Sequence, residues 1–108
     1  MSRLTLLPPR RNVAEVTEKQ FQQQVTDLAE ACGWEHYHAW LSIHSPTGWP
    51  DLALVKPPRL VFAELKSEKG KLTAQQRRWI GLLEQCPGVE VYCWRPSDWE
   101  LAVGVLRR

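Results

Sequence analysis

No apolar stretch in these 108 residues approaches the ~20 needed to span a bilayer as a helix. The amino-terminal run "LTLLPP" is too short for a secretory core and is followed by no small-residue cleavage site, so a cytoplasmic protein is expected. Cysteine is scarce. Cys32, Cys86 and Cys93 are odd in number, widely spaced and form no C-x-x-C pair, which excludes a disulfide framework. Each sits in an apolar context and is expected to be a free, buried thiol without a redox or metal role. There are no internal repeats and no low-complexity tract, and the length allows one core with no separate recognition domain.

Excess charge is also lacking, since the net value is only +2. Its distribution is more informative. Between Lys66 and Arg78, the basic residues Lys66, Lys69, Lys71, Arg77 and Arg78 are balanced by one acid, Glu68, and Arg10–Arg11 and Arg107–Arg108 add basic tips. Such a run suits a phosphate-bearing partner. A solvated lysine-rich loop would have the same composition.

What the chain does have is periodicity. Residues 1–15 are rich in Pro and Arg without a repeat and read as a flexible basic arm, leaving 16–108 as one domain. Thr17 with Gln20 forms a capping-box pattern, followed by Phe21, Val25, Leu28, Ala29 and Cys32 at helical spacing up to Gly33. "WEHYHAWLS" reads as a half-buried aromatic strand, and "IHSPTGWP" as a loop. "DLALV" and "LVFAELK" are strands reversing at Pro57–Pro58. Thr73 with Gln76 opens a second helix, whose apolar face is Trp79, Ile80, Leu83 and Cys86. "VEVYCW" is a further strand, and Ser97 or Asp98 caps a last helix carrying Leu101, Ala102, Val105 and Leu106. The order α-β-β-β-α-β-α predicts a mixed α/β domain: a small mixed sheet flanked by helices, with a crossover through the second helix.

An even reversal at Pro57–Pro58 sets Val55 opposite Leu60, Ala53 opposite Phe62, and Asp51 opposite Glu64. Opposed side chains on one face have Cβ atoms ~4.5–5.5 Å apart, so the two carboxylates repel unless a cation or a shared proton intervenes. Lys66 lies on the same face, while Leu52, Leu54, Val61, Ala63 and Leu65 line the other. The hairpin is thus expected to be buried on both faces, with its charges at one end. Two carboxylates and a lysine at a strand end suit metal-assisted phosphodiester hydrolysis. Hard oxygens hold a divalent ion, the ion activates water, and the lysine orients that water or stabilises the phosphorane.

Pro50–Asp51 and the Glu64-Leu65-Lys66 triplet match the PD-(D/E)XK nuclease signature. With "TEKQFQQQVTDLAEACGW", "GWPDLALV" and "ELKSEKGKLTAQQRRW", the chain resembles a small stand-alone phage or bacterial member of the VRR-NUC family from about Thr17 to Trp94. The resemblance implies a restriction-endonuclease-like core and a Mg²⁺- or Mn²⁺-dependent endodeoxyribonuclease. It assigns Asp51 and Glu64 as metal ligands with the Leu65 carbonyl, Lys66 as the catalytic lysine, Glu18 as the first-helix acid and Gln76 as the second-helix glutamine. Gln75 is adjacent to Gln76, but helical spacing from Trp79 and Ile80 turns Gln76 inward. Stand-alone members resemble Holliday-junction resolvases, which implies branched DNA as substrate and a homodimer, through the aromatic strand or through the arm and last helix. A flap or nicking nuclease acting alone or in a repair complex, and a catalytically silent DNA-binding module, are the alternatives.

Several of these residues have plainer explanations. Glu18 suits the helix dipole, Gln76 completes a capping box with Thr73, and Asp51 follows a proline where turn-forming Asp is common. His36 and His38 form an H-x-H pattern without further ligands nearby and are expected to be part of the aromatic strand. His44, in the loop before Asp51, is a candidate for touching phosphate or the attacking water. Lys69, Lys71, Arg77, Arg78 and Trp49 are the other candidate DNA contacts.

Overall fold

A computed structural model describes residues 12–39 and 46–108. Within them, a 3₁₀ turn (Val13–Glu15) leads to α1 (Glu18–Ala31), β1 (Glu35–His38), β2 (Leu52–Lys56), β3 (Arg59–Leu65), α2 (Ala74–Glu84), β4 (Val89–Trp94), a second 3₁₀ turn (Pro96–Asp98) and α3 (Trp99–Arg107). The strands form a sheet in the order β1-β2-β3-β4. The first two pairings are antiparallel and β3 pairs parallel with β4, which the excursion through α2 makes possible. The fold is therefore mixed α/β, in the expected order.

The register of the β2–β3 hairpin is also the expected one: Ala53 opposes Phe62 and Val55 opposes Leu60. Leu52, Leu54, Val61, Ala63 and Leu65 all face the core and are at most 1% exposed. Onto this face α1 packs Phe21, Val25, Leu28 and Ala29, and α3 packs Ala102 and Leu106. Each large side chain buried this way contributes about 1.5–3 kcal/mol. Thr17 caps α1 with a full capping box, and Gly33 continues past its end at φ +88°.

At the sheet end remote from Glu64, Arg59 ties three elements together. Its fork meets both oxygens of Glu90 on β4 at 2.7 Å, and Nη1 donates to the Val105 and Arg108 carbonyls of the α3 terminus at 3.0 and 3.2 Å. The guanidinium lies 4.8 Å from the Trp34 ring centroid, and Trp34 Nε1 donates to the Leu106 carbonyl at 2.8 Å. Hydrogen bonding to Arg59 holds the Glu90 carboxyl below its ordinary range.

Several local expectations are corrected. The face of the hairpin toward α2 is only partly covered: Val55 is 39% exposed, and Ala53, Leu60 and Phe62 are half-buried. The reason is that α2 buries none of its residues fully and, among the described elements, packs chiefly against β4. Cys86 falls beyond α2 and is exposed, while Cys32 and Cys93 are half-buried; all three are free. β1 is an edge strand with Glu35, His36 and Tyr37 exposed, so it is not the half-buried aromatic strand expected. His36 Nε2 sits 2.7 Å from Glu30 Oε2 of α1, which accounts for one histidine of the H-x-H pattern without a metal. Leu101 is 66% exposed although grouped with the last helix's core residues. Of the arm expected over 1–15, residues 13–15 form the 3₁₀ turn capped by Asn12; the remainder, with Trp40, Leu41 and His44, lies outside the described residues.

Candidate active site

The site lies at the carboxyl ends of β3 and β4, where strands of open α/β sheets present loops and ligands. Asp51 sits one residue before β2, and its Oδ2 accepts the Leu65 N–H at 2.8 Å. The expected meeting of Asp51 with the end of β3 is therefore present, fastened through backbone as well as register. Glu64 is 2% exposed, the only buried charged residue among those described. Its Oε2 accepts from Gln76 Nε2 at 2.9 Å and lies 3.9 Å from Lys66 Nζ. Its Oε1 is buried with no hydrogen-bond partner.

Gln76 makes the capping box and also reaches Glu64. Its Oε1 accepts the Thr73 N–H at 2.9 Å, completing the capping box, and the other end of the same amide reaches Glu64. One side chain thereby starts α2 and bonds the Glu64 carboxylate, and it is Gln76 rather than Gln75 that does so. Glu18 is exposed in the first turn of α1, and its negative charge adds to the field at Glu64 without touching it in this structure.

Burial, and then the Asp51 carboxylate, push Glu64 up to about 8, against the pull of the Lys66 ammonium. The folded chain thus keeps a proton that the unfolded chain releases at an ordinary carboxylate pKa. That contribution to stability is complete below the unfolded pKa and is lost as pH rises through about 8. Thermal melts of metal-stripped protein are expected to fall between about pH 5 and about pH 9, and Glu64→Gln to flatten that decline. Millimolar Mg²⁺ or Mn²⁺ is expected to restore the wild type at the alkaline end and to leave Glu64→Gln unchanged. A decline of equal slope in both proteins would remove Glu64 as its source.

The donors here are hard oxygens, and an orphaned buried carboxylate oxygen is what a hard divalent cation would satisfy. Among the described residues, no group of three or more His, Cys, Asp or Glu could hold a metal ion through side chains alone. A cation held here would have to keep waters and take backbone or phosphate oxygen to complete its shell, as Mg²⁺ can.

Around these groups, Lys69, Lys71, Arg77 and Arg78 are all exposed, and the Arg78 guanidinium lies 5.7 Å from the Trp79 ring centroid. Trp49 is 39% exposed and meets Phe62 and Trp79 edge-on, at 5.3 and 5.0 Å between centroids. His44 lies outside the described residues.

Sequence reasoning overlooked two positions. Gly48, at φ +95°, packs so closely on α2 that an added Cβ would lie 2.6 Å from the Gln75 carbonyl carbon and oxygen. Trp79 Nε1 donates to the neighbouring Thr47 carbonyl at 3.1 Å, so the loop before Asp51 is clamped to the helix bearing Gln76. The other is Arg95, directly after β4. Its proximity was inferable, because a parallel β3–β4 pair places the residue after Trp94 beside the residue after Leu65.

A family model described as VRR-NUC domain matches residues 5–97. No curated protein and no solved structure matches the chain.

Proposed function

The chain belongs to the VRR-NUC family, a nuclease domain, and from that premise we propose that it is a Mg²⁺- or Mn²⁺-dependent endonuclease that cuts branched DNA. The observation that carries this reading is Glu64: a buried carboxylate with one oxygen fixed by Gln76 and the other orphaned, beside Asp51 and Lys66. Burying a carboxyl group with one oxygen unpartnered is costly even when it carries a proton, and an unused site has no compensating gain. This argues against a silent DNA-binding module.

Asp51, Glu64 and the Leu65 carbonyl would hold the cation, with Glu18 reaching it through water. When bound, the ion would lower the pKa of a water and neutralise charge on the phosphate undergoing attack. Lys66, whose side chain is 13% exposed, holds its ammonium where it can orient the attacking water or stabilise the phosphorane. Gln76 keeps Glu64 from swinging away. Lys69, Lys71, Arg77 and Arg78 would track the phosphate backbone, positioning DNA without reading its sequence. Trp49, against Phe62 and Trp79, would offer an aromatic edge beside the cut, and His44, five residues earlier in the sequence, is the further candidate contact.

Paired cuts across a junction require two sites related by a two-fold axis, hence a homodimer. Tyr37 of the edge strand, 66% exposed, supports β1 as its interface. The test uses one labelled four-way junction, with flap and linear duplex controls in Mg²⁺ and Mn²⁺, alongside the mass of the protein in solution. Symmetric paired nicks by a dimer are expected. Flap cutting by a monomer would keep the nuclease and discard the resolvase.

A further inference from the structure

The loop joining β3 to α2 carries Lys66 at its start and delivers Gln76 at its end. It is fastened at three points to the end of β4 and the segment that follows it. The Lys66 N–H donates to the Trp94 carbonyl at 3.0 Å. Arg95 Nη2 donates to the Gly70 carbonyl at 2.8 Å, and the Ser97 N–H donates to Glu68 Oε1 at 3.0 Å. Arg95 is itself held, because its own N–H donates to Asp98 Oδ2 at 2.9 Å.

Gly70 is where the fastening reaches the lysine. The Gly70 N–H donates to the Ser67 carbonyl at 3.1 Å, which folds the loop back on itself. A Cβ added to Gly70 would lie 3.4 Å from Lys66 Cδ and 3.0 Å from Ser67 Oγ. The Gly70 backbone therefore lies close beside the aliphatic stem of Lys66, with room between them for little more than a methyl group, and the Lys66 side chain is only 13% exposed.

We infer that Arg95 is a positioning residue for Lys66: by gripping the Gly70 carbonyl it presses the loop onto the lysine stem and fixes where the ammonium points. Glu68 serves the same strap from the opposite direction. This inference rests on the reading of Lys66 as the catalytic lysine. It adds that the one acid in the basic run is not there for DNA, and that Arg95 is not a phosphate contact despite its charge.

The test is a double-mutant cycle on the full chain, with single-turnover cleavage by wild type, Arg95→Met, Lys66→Met and the pair. Arg95→Met is expected to lower kcat about 10- to 100-fold, because small misplacements of a catalytic group cost that much. KM, DNA affinity and the salt dependence of binding are expected to hold. In the Lys66→Met background the same change is expected to alter the rate less than about twofold, since both act through one group. Arg95→Lys, which keeps a donor for the Gly70 carbonyl, is expected to recover most of the rate and guards against an unfolded methionine variant. Multiplicative effects of the two mutations, or weaker DNA binding with a shallower salt slope, would overturn the inference and make Arg95 a phosphate contact.

A second readout does not require cleavage. In protein labelled with ¹³C-lysine, the Lys66 side-chain resonances are expected to stand apart from those of Lys69 and Lys71, and to join them in Arg95→Met. Unmoved resonances would overturn the inference. If wild type cuts no DNA, the nuclease reading fails while the spectrum still decides whether Arg95 positions Lys66.

Discussion

Lys66→Met is expected to reduce metal-dependent DNA cleavage by about a thousandfold or more, within the range for loss of a positioned proton-transfer or charge-stabilising group. The protein should still fold. The methionine keeps the aliphatic stem that lies beside Gly70, and Lys66 approaches the Glu64 carboxylate only to 3.9 Å. DNA affinity should fall little, because Lys69, Lys71, Arg77 and Arg78 stay exposed and, on the proposed reading, carry the phosphate contacts. Loss of rate without loss of binding is the signature of an interaction made in the transition state. Cleavage within a few-fold of wild type would show that Lys66 is merely a partner of a buried carboxylate.

Gly48→Ala is expected to be the most damaging single methyl group in the chain. Two costs coincide there. The residue sits at φ +95°, and the new Cβ would lie 2.6 Å from backbone atoms of Gln75, which cannot rotate aside as a side-chain tip could. Together they should cost at least about 3 kcal/mol, lowering Tm by on the order of 10–20 °C. Gly88 separates the two contributions, since it has φ +83° with nothing within 4 Å of an added Cβ. Gly88→Ala should show the backbone cost alone, about 1 kcal/mol. Whatever survives as folded Gly48→Ala should also cut DNA poorly, because relieving the clash moves either the loop ahead of Asp51 or the helix start that carries Gln76. Equal melting temperatures for the two variants would mean that the close approach at Gln75 yields without cost.

Much of this arrangement was legible in the sequence because it follows from period and register. The capping boxes at Thr17 and Thr73 mark where both helices begin, and the alternation in β2 and β3 separates the core face from the Glu64 face. An even turn at Pro57–Pro58 then carries Asp51 to the end of β3. Gln76 was legible twice over, as a cap and as an inward side chain, and it is both.

The remainder depends on how elements sit against one another, which periodicity does not encode. The apolar stripe of α2 suggests a buried helix, but its position over β4 leaves Trp79, Ile80 and Leu83 only half covered and Val55 exposed. Cys86 follows the stripe in spacing, but the helix ends before it, so it faces solvent. Trp34 and Arg59, distant in sequence, meet because β3 starts where α3 ends. Gly48 looks like an ordinary turn glycine until Gln75 is placed against it, and Arg95 looks like a surface charge until Gly70 is placed within its reach.

On the proposed reading, Asp51, Glu64 and Lys66 act as one metal-dependent hydrolytic site. The most direct test is cleavage of a single end-labelled branched DNA by wild type and Asp51→Asn, first in EDTA and then with Mg²⁺ or Mn²⁺ restored. No cutting in EDTA, cutting by wild type on restoring the metal, and none by folded Asp51→Asn is the predicted result. Cutting that persists in EDTA, or that Asp51→Asn performs as well as wild type, would contradict it.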